Sequence, residues 1–339
     1  MRRAILRATA HAGVSMRLHM SSAFEPALIG DHANHVSTDQ QWWQESAFFM
    51  MCDAKNGVIG YYRIGRHPHL GHGNAYYWTS AQTLVLDDKQ FRPGQPMPAG
   101  DVNNTVVAEL RFETIRPMEE YRLSVDRPNY RMEVTWRPFF WPIMIHSAVK
   151  GASFAAGHYN AIGHATGFIE TDGGRVDVDA YGYMDHSWGE RKNHFPASKW
   201  IFAAFDPETF VQAFPVMSLD GGSKHLLGYV AVDGKLRKLT DDYETGFGIR
   251  DDWMTPSACD FRVKDEDGRL FRFTGTTSGP ESIYPFLHGK FCVHALASFD
   301  FEGRPGRGLL ENSPPRAIPG VYQERYELDP SGIWLNASH

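Results

Sequence analysis

Cysteine is scarce in this 339-residue chain: Cys52, Cys259 and Cys292 are the only three, far apart and in no zinc-like spacing. That excludes a disulfide framework and fits thiols kept in a reducing, cytoplasmic setting. Positive charge is also in deficit. Against 40 Asp and Glu there are 34 Lys and Arg, for a formal charge of −6, and no basic stretch offers a track for a polyphosphate, so nucleic acid is not an expected partner. No apolar run approaches the ~18 residues of a membrane-crossing helix, so no membrane span is expected. Nor does a Gly-rich phosphate loop follow a buried strand, and GASFAAG at 151–157 lacks the surroundings of a nucleophilic serine. No cofactor is expected.

Helical periodicity is thin, confined to stretches near 25–40 and 138–150 that read as helical or irregular. The opening MRRAILRATAHAGVSMRLHMSS has the basic residues of a targeting arm without its apolar core, so residues 1–22 read as a disordered leader, with Met16 and Met20 as alternative starts.

What is abundant is alternation. Short apolar and aromatic runs are broken by turn residues: Asn56-Gly57 between QESAFFMMCD and VIGYYRIG, Asp172-Gly173-Gly174 inside GHATGFIETDGGRVDVDAYGYMD, and Asp267-Gly268 inside RVKDEDGRLFRFTG. The chain reads as all-β and antiparallel. WWQESAFFMMCDAKNGVIGYYRI and SKWIFAAFDPETFVQAFPVMSLDGGSKHLLGYVAVDG share an order of strand and turn, which suggests two related halves, residues 23–150 and 151–339, with the seam in RPFFWPIMIHSAVKGAS at 137–153. A large sheet avoids exposed edges most simply by closing into a barrel. Aromatics make up 13% of the chain, enough either for a large core or for the walls of an apolar ligand site.

The densest chemistry lies in GYMDHSWGERK, Gly182–Lys192. Strand alternation puts Tyr183, Asp185 and Ser187 on one face and His186 and Trp188 on the other. Only a bulge at Gly189 would re-aim them into one site. An aspartic acid among aromatic rings can stay protonated and deliver a proton, an imidazole can accept one, and aromatic faces can shield an electron-poor carbon. A β corner, with Asp185 on turn amides and His186 in the core, explains the same residues without chemistry.

HYNAIGHATGFIETDGGRVDVDAYGYMDHSWGERK resembles the signature region of the carotenoid-hydratase-like, or AttH-like, family: a histidine-tyrosine pair, a glycine-rich hairpin, then an aspartate-histidine-x-tryptophan-glycine block. WWQESAFF and PGVYQERYE resemble an early and a closing strand of its members. The resemblance implies two packed lipocalin-like antiparallel β-barrel halves, with few short helices and a hydrophobic cavity. It also implies activities such as hydration of terpenoid double bonds and, in distant fungal relatives, pericyclic cyclisation. By position Asp185, His186 and Trp188 match the block, His158 and Tyr159 the pair, and Glu45 the acid of the early strand. Where members often carry a carboxamide or acid after the pair, this chain has Asn160 and Ala161, so a second acid is absent there.

The expected activity is therefore that of a cofactor-independent lyase or isomerase, working by proton transfer on a terpenoid, steroid-like or polycyclic substrate. Asp185 serves as the acid, His186 or His158 as base or relay, and Glu45 as a second carboxylate. Trp188, Tyr183, Tyr159, Tyr181 and Trp43 form the wall. A lipocalin-like carrier of the same hydrophobic molecule is the alternative, and a purely structural partner-binding body ranks third. A homodimer is left open. His67, His69 and His72 spell H-x-H-x-x-H, which resembles a metallo-β-lactamase motif. Gly71 stands where that motif has an aspartate, so a rim loop is expected rather than a metal. His294, in the apolar run KFCVHALASFD, reads as a core histidine.

Overall fold

The computed structural model describes residues 18–40, 43–53, 55–146, 156–190, 198–217, 224–252, 254–285 and 291–313. The first half builds β1 (His19–Met20), β2 (Trp43–Asp53), β3 (Val58–His67), β4 (His72–Ala81), β5 (Leu86–Pro96), β6 (Thr105–Val107), β7 (Leu110–Arg116), β8 (Glu120–Arg127), β9 (Tyr130–Pro138), β10 (Ile143–Met144), β11 (Gly157–Thr171) and β12 (Gly174–Glu190). The remainder builds β13 (Ser198–Asp206), β14 (Thr209–Met217), β15 (Lys224–Val232), β16 (Lys235–Ile249), β17 (Pro256–Asp265), β18 (Leu270–Pro285), β19 (Phe291–Phe301) and β20 (Arg304–Ser313). Among the described residues the helical elements are three 3-10 turns, Ile29–His32, Pro68–Leu70 and Gln82–Leu84.

The strands form two sheets. One runs β5-β4-β3-β2-β12-β11-β9-β8-β7-β6, with β10 added on β11, and is open only between β5 and β6. In the other, β13 to β20 each pair with the next, β20 pairs back onto β13, and the ring closes as an up-and-down barrel with β1 added on β16. The expected all-β pair of barrels is the observed architecture.

Local chemistry explains the hairpins. Gly57 takes φ 63° in the turn joining β2 to β3, and Gly268 takes φ 81° between β17 and β18, a region open to glycine at no steric cost. Burial then distinguishes the sides of the first barrel. β9, YRMEVTWRP, alternates buried and more exposed positions because one face meets solvent, whereas every residue of β2, WQESAFFMMCD, is buried. A strand covered on both faces reads as a continuous apolar run. On one side of β2, Phe49 packs inside the first barrel against Phe112, Tyr121 and Trp136. On the other, Phe48 and Tyr61 face Trp200, Tyr284 and His294 of the second barrel.

Three expectations change. The sheets do not divide at 137–153: β11 and β12 pair with β9 and β2, so the change of sheet falls between Glu190 and Ser198. The hydrogen-bonding edge of β2 needs β12 to cover it, which draws the signature hairpin into the first barrel. The end of the leader is not structureless, since His19–Met20 pair in parallel with Lys235–Leu236 and Leu18 is buried. Around 138–146 the chain is extended through β10 rather than helical. PGVYQERYE and residues 151–155 of GASFAAG lie outside the described residues.

Candidate functional site

The signature strand β12 pairs with β11 on one side and β2 on the other, with no register shift from Tyr181 to Glu190. Without a bulge the two faces stay separate. His186 and Trp188 turn into the first barrel together with Glu45 and Tyr159, their cross-strand neighbours, while Tyr183 and Asp185 turn toward the second barrel with His158 and Asn160. The residues expected to make one site make two.

Inside the first barrel, His186 and Glu45 are completely buried. Glu45 Oε1 accepts from His186 Nε2 at 3.0 Å and from His35 Nδ1 at 2.8 Å, and the His35 backbone N–H donates to both carboxylate oxygens. Arg66 Nε forms an ion pair with Oε2 at 3.0 Å. Burial opposes the charge on Glu45, but the hydrogen bonds from His186 and His35 outweigh it and hold the carboxyl at about 2. On the other edge of the His186 ring, Nδ1 accepts from Asn103 Nδ2 at 3.1 Å and from Tyr159 at 3.2 Å. The proton therefore sits on Nε2. His35 stacks on Trp188 at 3.6 Å and 9°, and Arg66 lies over Trp43. These bonds hold the 29–40 segment and β12 to the barrel end, and Asn103 Oδ1 is the buried acceptor of the cluster that has no hydrogen-bond partner among the described residues. His32, whose Nε2 bonds to Thr114, belongs to the same layer; burial, then the nearby His186, push its imidazole down to about 4.

The opposite face carries a second polar cluster. His158 Nε2 lies 3.7 Å from Asp185 Oδ2, with both side chains mostly but not fully covered. Beside them Tyr229 donates to Asn160 Oδ1 at 3.0 Å, and Asn160 Nδ2 donates to the Tyr183 oxygen at 3.0 Å. The Tyr183 hydroxyl thus keeps its own proton to donate. Burial, then the Asp185 charge, raise Tyr183 well above a normal phenol. The Trp200 ring covers Tyr183 at 4.9 Å. Several buried polar atoms in this layer have no hydrogen-bond partner among the described residues, including Trp200 Nε1, Gln212 Oε1 and His294 Nδ1, as expected where a polar ligand or water belongs.

Of the other residues singled out, Tyr181 contacts Phe139 and His164 and stands apart from Asp185. In the rim loop His67 Nε2 pairs with Asn74, His69 bonds to the Thr38 carbonyl and His72 to the Gly73 carbonyl, so the three imidazoles are not aimed at one point. His294 is buried, as expected, but it faces the first barrel and bonds Glu311 at 2.8 Å. Sequence reasoning missed Tyr229, Trp200 and Glu311. The available signal was the apolar run interrupted by a titratable residue, as at Glu311 in GRGLLENS.

The family described as a domain of unknown function, DUF7064, matches residues 29–316. The chain belongs to that family. No curated protein matches the sequence. Among solved structures, a protein from Nitrosomonas europaea described as a candidate AttH is similar at TM-score 0.57 and 16% identity, over 84% of this chain and 96% of its own. Kievitone hydratase from Nectria haematococca is similar at TM-score 0.56 and 10% identity, over 82% and 90%. CghA is similar at TM-score 0.56 and 12% identity, over 85% and 95%. The DUF7064 chain thus shares the tandem-barrel fold of the carotenoid-hydratase-like proteins, as its signature region suggested. Among the described residues no helix is long and apolar enough to cross a membrane.

Proposed function

We propose that this chain is a lyase or isomerase that moves a proton on a hydrophobic terpenoid, steroid-like or polycyclic substrate held between the two barrels. The observation that carries the reading is the Asp185–His158 pair, 3.7 Å apart, on the face packed with Tyr183, Trp200 and Tyr229. Two titratable groups converge there beside a phenol with a proton to give, which is what acid–base catalysis needs. That a hydratase is among the proteins of this fold supports the reaction class.

In the hydration direction, Asp185 delivers a proton shared with His158 to an alkene carbon, a water adds to the cationic carbon, and His158 takes the proton that the water loses. Transfer of that proton from His158 to Asp185 restores the starting state. Dehydration is the reverse, and isomerisation replaces the water step by loss of a different carbon-bound proton. Tyr183 and Trp200 supply the wall. Glu45 and His186 act as positioning residues, because their hydrogen bonds hold the strand that carries Asp185.

One observation favours a carrier instead: the motif histidine is fully engaged in structural bonds, which leaves fewer groups for chemistry. Incubation with hydrophobic alkenes and alcohols in deuterated water separates the two. The catalyst places deuterium on carbon or changes the product mass by one water, and Asp185→Asn lowers the rate at least ~100-fold. Tight binding without either change means a carrier.

A further inference from the structure

We infer that Cys292, His294 and Glu311 form a binding site for a zinc-class divalent ion on the face of the second barrel that packs against the first. Cys292 and His294 are two residues apart on β19 and so share a face, and Glu311 is the direct cross-strand partner of His294 on β20. The pleat and the register alone bring together three side chains separated by up to nineteen positions of sequence. One ligand atom from each lies within 4.8 Å of the others, and all three residues are buried.

The donor set is one sulfur, one imidazole nitrogen and one carboxylate oxygen. Oxygen-seeking Mg2+ and Ca2+ do not select a thiol, whereas Zn2+ and Co2+ accept all three. Charge points the same way. Glu311 is 6% exposed, its only ion-pair partner among the described residues is His294, and the Lys199 ammonium, bonded to Asn312, attracts it without pairing with it. A carboxylate in such a place needs a compensating positive charge, and a divalent ion supplies it while also neutralising a thiolate. His294 is 0% exposed, and its Nδ1 has no hydrogen-bond partner among the described residues, so the ring has bonding capacity unspent in a sealed site.

The outer groups fit as well. Ser313 donates to Glu311 Oε1 at 3.0 Å and its oxygen lies 2.7 Å from the Cys292 sulfur, so its single hydroxyl proton is placed to steady one or the other of these two ligands once the thiol proton is released on binding. Three protein ligands leave a tetrahedral ion one position for water or for an oxygen of a bound molecule. His35, Glu45 and His186 also lie within 4.8 Å, but there Arg66 already balances the carboxylate and no sulfur is present.

The test uses the full chain, stripped with a chelator and titrated with Co2+ as the probe. The expected result is one ion per chain, with ligand-field bands and a near-ultraviolet sulfur-to-cobalt absorption. Cys292→Ser, close in size, should abolish that absorption, Cys259→Ser should retain it, and His294→Ala should weaken zinc binding by at least ~100-fold. Absence of the absorption in the native chain, or its survival in Cys292→Ser, would overturn the assignment and leave a plain His294–Glu311 hydrogen bond beside a buried thiol. Circular dichroism confirms that each variant is folded, and the Cys292→Ser comparison decides the matter even if the His294 variant is not.

Discussion

Asp185 and His186 are adjacent in the chain and serve opposite sides of one strand: the carboxylate faces the second barrel 3.7 Å from His158, and the imidazole is sealed in the first barrel on Glu45. The aspartate-histidine block is therefore two devices in series. One is a titratable pair at the layer between barrels, and the other is an anchor that fixes the strand carrying it.

Substitution should separate the two. Asp185→Asn is expected to cost at least ~100-fold in turnover with little change in melting temperature, since the side chain is not part of a sealed network. His186→Gln should instead lower the melting temperature by several degrees, because Asn103, Tyr159 and Glu45 each lose a partner in a dry site, at about 1–3 kcal/mol for a buried group left unsatisfied. Calorimetry and an initial-rate assay on the same preparations read both effects.

Glu45→Gln should be more damaging. It removes a buried charge and strands Arg66 and two histidine donors, a change that costs about 3–5 kcal/mol in comparable buried pairs. The pH dependence carries the sign. With its folded value near 2 against 4.5 unfolded, Glu45 contributes fully above pH 4.5, and the contribution fades as pH falls toward 2, about 3 kcal/mol in all. Denaturant midpoints between pH 6 and 2 should fall less steeply for the Gln variant.

His32 acts in a higher window. Its folded value of about 4 lies below the ordinary 6.5, so the fold prefers the neutral ring. Stability is complete above pH 6.5 and declines as pH drops toward 4, where the unfolded chain binds the proton more readily. His32→Gln should flatten the loss between pH 6.5 and 4. An unchanged slope there would show that another group controls it.

Gly157→Ala probes the stack at the motif's end. A Cβ at this position would sit 2.1 Å from Trp188 Cζ2, so the indole that lies on His35 must shift. The expected cost is about 1–3 kcal/mol, the usual range for overpacking, together with a change in Trp188 fluorescence if the stack opens.

Much of the scaffold was legible beforehand. The turns at Asn56-Gly57, Asp172-Gly173 and Asp267-Gly268 are found where the chain called for them, and the period of two already put Asp185 and His186 on different faces. The seam was misplaced because the RPFFWPIMIHSAVKGAS stretch breaks the alternation without ending the sheet: the next hairpin returns to cover the edge of β2. Glu45 was expected as a second carboxylate beside Asp185; it lies on the other face of the sheet, and its partners His35 and Arg66 carry no sequence pattern that marks them as neighbours.

By itself the sequence determined the strands, the hairpins and the face on which each side chain lies, because these depend on backbone pleat and turn chemistry within a few residues. Only the tertiary structure decided which groups meet: Tyr229 with Asn160, Tyr61 with His294, Glu311 with His294. Those contacts depend on strand order, on register between distant segments and on which barrel faces are buried against each other. Local alternation specifies a face, and packing supplies what that face touches.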